Sequence, residues 1–323
     1  MKIIVTMRSS SFKEILDSKL KGHEFSSHLA DMDLPLVPQI SDAEIIVNGS
    51  LKVDRSIIDY CPKLKLIHQA GIGYDNIDVE YCTPKSIFVA NVPLANSIAV
   101  AEHALFLMVL LAKNMQFTRA SIMKRRNPSI MGTELYEKTL LVVGLGASGT
   151  EVAKRAKAFG MNVIAVTKDP IGDTPGREKA FFADDVRPPE ALPELIPMAD
   201  FISLHVPLTD ETRGMIGSSG FGLMKKSAFL INVARAPVVD RAALYSALSN
   251  KAIAGAAFDV FWEEPAAPDD EMLQLDNFVL TPHVAGWTRE SVDAIAGVIT
   301  SNILRVSEGK APLTLVNTEL LRR

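Results

Sequence analysis

Short runs of β-branched and aliphatic residues recur along the chain, most of them separated by longer stretches whose apolar residues return at helical spacing. The first group is KIIVT (2–6), EIIVN (44–48), LKLIHQA (64–70) and IFVAN (87–91). The second is TLLVVG (139–144), NVIAVT (162–167), DFISLHV (200–206), AFLINV (228–233), IAGAAF (253–258) and FVLT (278–281). Helical patterns such as TEVAKRAKAFG (150–160) and DRAALYSALSNK (240–251) lie between them. Strand alternating with helix predicts an α/β protein with parallel sheets built from βαβ units. Runs that are apolar at nearly every position, such as FLINV, suit strands covered on both faces. The Pro-rich, charged stretch 168–198 reads as a long connection. A last helix, 288–308, follows the final strand; packed back on the first domain, it would make that domain discontinuous.

The length of 323 residues suggests two domains, and 48% hydrophobic with 22% charged residues is ordinary for a globular core. A formal charge of −4 argues against a nucleic-acid partner. The single basic run, Lys124-Arg125-Arg126, reads as a solvated helix end. Two cysteines without a CxxC spacing suit a reducing compartment. The N-terminus lacks the pattern of a signal peptide, and the most apolar segment, 98–112, holds Glu102 and His103 and is too short to span a bilayer. The expectation is a cytoplasmic protein with no membrane partner. No metal-ligand spacing, P-loop or GxSxG is present, so no metal is expected.

One motif changes the picture. GLGASG (144–149) follows a strand and opens a helix, the context in which G-x-G-x-x-G binds a dinucleotide. Gly144 permits the tight turn, Gly146 the approach of the pyrophosphate and Gly149 close helix–strand packing. The strand NVIAVT then ends in Thr167, where an NAD site usually carries a carboxylate for the ribose hydroxyls. Thr167 removes a charge that would repel a 2′-phosphate and Lys168 would attract one, so the lean is to NADP. Asp169 could instead restore an acid, so NAD stays open.

Ligands in open α/β sheets sit beyond the carboxyl ends of the strands. Arg235, Asp259 and His283 fall at successive strand ends, and Glu264 lies five residues past Asp259. A His–carboxylate pair handles protons, and an Arg fork captures a carboxylate. His205, His103 and His68 read as packing, while His23 and His28 have no evident partner.

These segments, with HQAGIGYDNID (68–78), VAEHAL (100–105), LHVPLTDETRGMI (204–216), INVARAPVVD (231–240), AGAAFDVFWEEP (254–265) and LTPHVAG (280–286), resemble the D-isomer-specific 2-hydroxyacid dehydrogenases. The resemblance implies two Rossmann-like domains. A flavodoxin-like substrate domain would comprise 1–98 plus 288–323, and a dinucleotide-binding domain 99–287. It implies hydride transfer between NAD or NADP and a small 2-oxo or 2-hydroxy acid. His283 would exchange the proton, Glu264 would hold His283 and favour its protonated form, and Arg235 would bind the substrate carboxylate, with backbone N–H groups of Ile72 and Gly73 helping. The implied cofactor set is Gly144, Gly146, Ala147, Ser148, Gly149, Thr167, Lys168, Val206, Pro207, Thr212, Val233, Ala234, Asp259, His283 and Gly286. A homodimer through the 98–114 helix is also implied.

Some positions depart from the family pattern. Asn48 stands where members with phosphorylated substrates carry Arg, Ala236 replaces a Gly after Arg235, and Leu94 replaces another Gly. Trp287 either lines the substrate pocket or packs in the hinge. Two alternatives share the fold and the Arg–Glu–His set: a dinucleotide-sensing corepressor and a phosphite dehydrogenase.

Overall fold

The computed structural model describes residues 1–7, 9–115, 131–168 and 182–322. The basic run 124–126 and Asp169 lie outside them. The chain divides into two compact units: Met1–Asn96 with Trp287–Arg323, and Ser97–Gly286.

The first unit is built on a five-stranded parallel sheet in the order β2-β1-β3-β4-β5, from β1 (Lys2–Val5), β2 (Ser26–Leu29), β3 (Ile45–Asn48), β4 (Leu66–Gln69) and β5 (Phe88–Ala90). The two-residue period of a strand sorts its side chains between two cores. Ile3, Val5, Ile45, Val47 and Leu66 face the helices Ser10–Lys19 and Arg289–Ser307, packing on Phe12, Leu16, Ile295 and Ile299. Ile4, Ile46, Ile67 and Val89 face Ile40, Ile58 and Cys82 on the other side. Thr288 caps the returning helix with a capping box closed by Ser291. Beyond that helix the chain docks on β5, where the Asn317 side chain accepts from Val89 N at 2.9 Å and donates to Ile87 O at 2.9 Å.

The second unit carries a seven-stranded parallel sheet in the order β12-β11-β10-β9-β6-β7-β8. Its strands are β6 (Thr139–Val143), β7 (Asn162–Val166), β8 (Asp185–Arg187), β9 (Phe201–Leu204), β10 (Phe229–Asn232), β11 (Gly255–Phe258) and β12 (Phe278–Leu280). The helices Ser97–Ala112 and Ala147–Ala158 cover one face and Arg241–Ser249 the other. The order reverses at β6, which lies between β7 and β9, so the loop after β6 opens at a topological switch point. Among the described residues no helix is long and apolar enough to cross a membrane.

Two strands escape the hydrophobic pattern. β2 reads SSHL with a mostly exposed side-chain row, and β8 reads DVR inside the Pro-rich, charged stretch 168–198. Both are edge strands. An edge strand is paired on one side only, and polar or charged residues there discourage further pairing, so it loses the apolar signature of a central strand.

Candidate active site

The glycine loop is shaped by what surrounds each α-carbon. Gly144 has φ +100°, and a Cβ there would lie 2.7 Å from His205 O. A Cβ on Gly149 would meet Gly144 O at 2.0 Å. Those two glycines are required by the protein itself. Gly146 differs: nothing lies within 4 Å of its would-be Cβ. It is also the N-cap of the helix Ala147–Ala158 and has no side chain to cap it. An open approach to an uncapped helix N-terminus suits a pyrophosphate, so the residues present fit a dinucleotide. Ser148 does not turn its hydroxyl solely outward; it bonds His205 Nδ1 at 3.1 Å, while His205 Nε2 meets Ser203 Oγ at 2.8 Å. Burial pushes the His205 pKa down to about 4, so the ring is neutral at pH 7 and bridges the two serines.

The neighbouring strand ends supply the walls. Thr212 Oγ1 donates to Pro207 O at 2.6 Å and accepts from Thr209 N at 2.8 Å, stapling the loop that follows Val206. Val206, Val233 and Ala234 are partly buried against the core faces. At the end of β7, Thr167 N donates to Arg187 O at 3.0 Å, and exposed Lys168 lies 3.9 Å from Glu211. Arg187 is itself paired to Asp185 at 2.9 Å.

Arg235 follows β10 through a clamp. Buried Asn232 accepts from Ala234 N and donates to Arg235 O, both at 3.0 Å, fixing the backbone that presents the guanidinium. Arg235 also donates to Ala234 O at 2.9 Å. Asp259, at the end of β11, is almost wholly buried. Its carboxylate accepts from Thr281 Oγ1 at 2.5 Å, Val284 N at 3.0 Å and Ala285 N at 2.7 Å. That grip holds the turn on which His283 sits at φ +55°, a conformation strained for a residue with a side chain. Asp259 therefore acts on the backbone of the 281–285 loop, with Gly286 next in the chain.

The turn delivers His283 Nδ1 to Glu264 Oε2 at 2.7 Å, with side chains 47% and 32% exposed. Glu264 Oε1 accepts from Phe261 N at 2.9 Å, which fixes the carboxylate. Burial pushes the Glu264 carboxyl upward, but the His283 hydrogen bond and charge, Phe261 N–H and Arg235 outweigh it and hold it below the ordinary value. The structure thus joins Glu264 to His283 directly and sets the Arg235 charge within their field.

In the first unit, Ile72 and Gly73 lie on the loop after β4, where Ile72 O accepts from Asn91 Nδ2 at 2.8 Å. Trp287, half exposed, lies 6.2 Å from the Phe12 ring. Asn48 is sealed: it accepts from Thr6 Oγ1 at 2.8 Å and donates to Gln69 Oε1 at 2.9 Å and Leu51 O at 3.0 Å.

Three residues with parts in this architecture had no legible signal. Asn232 looked like the last residue of an apolar strand. Thr281 and His103 join Asp259 beneath the His283 loop, with His103 Nε2 2.9 Å from Thr281 Oγ1, so His103 does more than pack. Nothing in the spacing of 103, 259 and 281 announces that meeting.

Comparisons with known proteins give the family. The family model described as "D-isomer specific 2-hydroxyacid dehydrogenase, NAD binding domain" matches residues 105–285. The chain belongs to the D-isomer-specific 2-hydroxyacid dehydrogenase family. A D-3-phosphoglycerate dehydrogenase of Methanocaldococcus jannaschii is 43% identical over 289 residues, 87% of this chain and 53% of that protein. The chain thus spans about half the length of that relative. A glyoxylate reductase of Pyrococcus furiosus is 37% identical over 89% of this chain and 86% of its own length. A crystal structure of D-lactate dehydrogenase from Aquifex aeolicus complexed with NAD and lactic acid superposes with a TM-score of 0.82 at 28% identity, covering 100% of this chain and 98% of that one. Membership in this dehydrogenase family assigns the second unit's matched segment to an NAD-binding domain and the cofactor to the nicotinamide dinucleotides.

Proposed function

We propose that this chain is an NAD(P)-dependent D-2-hydroxyacid dehydrogenase that reduces a small, unphosphorylated 2-oxo acid. The observation that carries the reading is the His283–Glu264 pair at 2.7 Å on a loop held by a buried aspartate. In this reading the first unit holds the substrate and the second the cofactor.

When bound, the dinucleotide supplies a hydride to the carbonyl carbon. Glu264, ionised at neutral pH, takes the Nδ1–H of His283 and leaves Nε2 as the nitrogen that exchanges protons. Nε2–H gives its proton to the carbonyl oxygen on reduction and recovers it on oxidation, so one hydride and one proton convert the 2-oxo acid to a 2-hydroxy acid. Arg235 binds the substrate carboxylate and polarises the adjacent carbonyl. Trp287 borders the substrate's side chain.

Gly144, Gly146, Ala147, Ser148 and Gly149 cradle the pyrophosphate, with Val206, Pro207, Thr212, Val233, Ala234 and Gly286 as walls. NADP is the preferred cofactor, because Thr167 brings no charge against a 2′-phosphate and Lys168 offers an exposed cation beside it. Asn48 supports an unphosphorylated substrate: its amide is committed to Thr6, Gln69 and Leu51. The enzyme works in the cytoplasm as a homodimer through the helix Ser97–Ala112, which leaves Ile98 and Phe106 more than half exposed.

Initial rates with glyoxylate, hydroxypyruvate and phenylpyruvate, each with NADH and NADPH, test the reading. Turnover of one of them, faster with NADPH, is expected. Faster turnover with NADH would overturn the cofactor preference. Cofactor binding without any turnover would favour the dinucleotide-sensing alternative.

A further inference from the structure

We propose that His103 is a positioning residue for the chemical step, holding the His283 loop from the helix Ser97–Ala112 through Thr281 and Asp259. The proposal rests on the dehydrogenase reading above, in which His283 exchanges the proton.

The loop from 281 to 285 has two anchors. One is the carboxylate of Asp259, which takes the backbone N–H groups of Val284 and Ala285. The other is Thr281, whose hydroxyl donates to Asp259 Oδ1 at 2.5 Å. A hydroxyl has one proton to give. With that proton on Asp259, Thr281 Oγ1 accepts from His103, whose Nε2 lies 2.9 Å away. The same Nε2 lies 3.4 Å from Asp259 Oδ1. His103 thus carries its proton on Nε2 and orients the threonine that orients the aspartate.

The physical need for such a group follows from Asp259. A carboxylate buried this deeply is costly unless its lone pairs are met by donors. Two backbone N–H groups and one hydroxyl meet them here, and the His103 N–H sets the direction in which that hydroxyl donates. Without His103, the threonine hydroxyl is free to turn, and the carboxylate loses the fixed aim of that donor. The strained turn at His283 depends on that carboxylate. Phe106 packs at 5.7 Å from the His103 ring, so the imidazole is fixed along the helix as well. Burial lowers the His103 pKa against the opposing charge of Asp259, so the ring acts as a neutral donor at pH 7.

The test compares wild type with His103→Phe, His103→Gln and His103→Asn in the full chain. The readouts are kcat and KM for the 2-oxo acid, NADPH affinity by fluorescence, melting temperature, and the 15N signals of the His283 ring. His103→Phe removes the donor and keeps a ring; kcat should fall by about ten- to hundredfold, with KM and NADPH affinity within about twofold. His103→Gln, long enough to reach Thr281, should recover kcat to within about threefold of wild type. Wild-type kcat in His103→Phe, or a Gln variant as slow as Phe, overturns the proposal. If His103→Phe does not fold, the Gln and Asn pair decides. A fast Gln and a slow Asn, too short to reach, support the proposal, and equal rates overturn it. If wild type turns nothing over, the dehydrogenase reading fails, and the ring signals still decide the positioning claim. His283 should show a single Nδ1–H tautomer in wild type and mixed tautomers in the Phe variant; unchanged signals overturn it.

Discussion

Both parallel sheets end at a carboxyl edge, yet the two edges use polar residues in opposite ways. In the five-stranded sheet the strand ends carry Thr6, Asn48 and Gln69, all buried, and their amides and hydroxyl bond one another and the 49–51 backbone. In the seven-stranded sheet the loops beyond the strand ends carry Arg235, Glu264 and His283, with the last two open to solvent. A buried polar chain with every partner supplied fixes loops and holds nothing in reserve. An ionisable pair left partly open keeps a proton to exchange. The same topology thus provides a scaffold edge in one unit and a reactive edge in the other.

The largest expected effect falls on the reactive edge. His283→Ala should lower kcat by about a thousandfold with a far smaller change in cofactor affinity, as read by steady-state rates and fluorescence titration. A variant that kept its rate would remove the contrast between the edges.

Next comes acid stability, where the units should behave alike. His68 in the first unit and His205 in the second are each pushed down to about 4 by burial. The His68 ring accepts from Asn302 Nδ2 at 2.9 Å, so Nε2 has no room for a proton. An unfolded histidine titrates near 6.5, so the unfolded chain binds more protons below that pH. Stability is complete above about pH 6.5 and declines as pH falls toward 4, by about 3 kcal/mol for each ring. Thermal unfolding followed from pH 7.5 to 4.5 checks this; a flat melting temperature would show that neither ring is held neutral.

Asn48→Ala should cost about 2 kcal/mol by leaving Thr6 and Gln69 buried with unmet groups. Its pH–rate profile should match wild type, because the scaffold edge exchanges no proton. A shifted profile would show that the two edges share chemistry.

The smallest effect separates two glycines of one loop. Gly146→Ala should leave the melting temperature unchanged and weaken dinucleotide binding by about tenfold, since its Cβ meets only open space in the protein. Gly149→Ala should instead lower the melting temperature, because its Cβ collides with Gly144 O. Calorimetry with and without NADPH distinguishes them.

The central strands, the glycine loop with its helix, and the candidates Arg235, Glu264 and His283 were all legible in the amino-acid sequence. Each leaves a local mark: an apolar run covered on both faces, a fixed glycine spacing, or a polar residue just past a strand. The edge strands β2 and β8 were not legible, since pairing on one side demands no apolar pattern. Nor was the turn of Asp259 toward its own loop instead of outward, the bond from Ser148 to His205, or the meeting of His103 with Thr281. Those partners stand between 22 and 178 positions apart in the chain. Their bonds depend on which strand ends and helix turns the tertiary fold brings within hydrogen-bonding reach. The sequence by itself determined the alternation of elements and the residues capable of chemistry; the tertiary structure decided which of them are held, buried or left open to act. A pattern along the chain encodes the local preferences of backbone and burial, whereas a hydrogen bond between distant residues exists only after the sheets have formed.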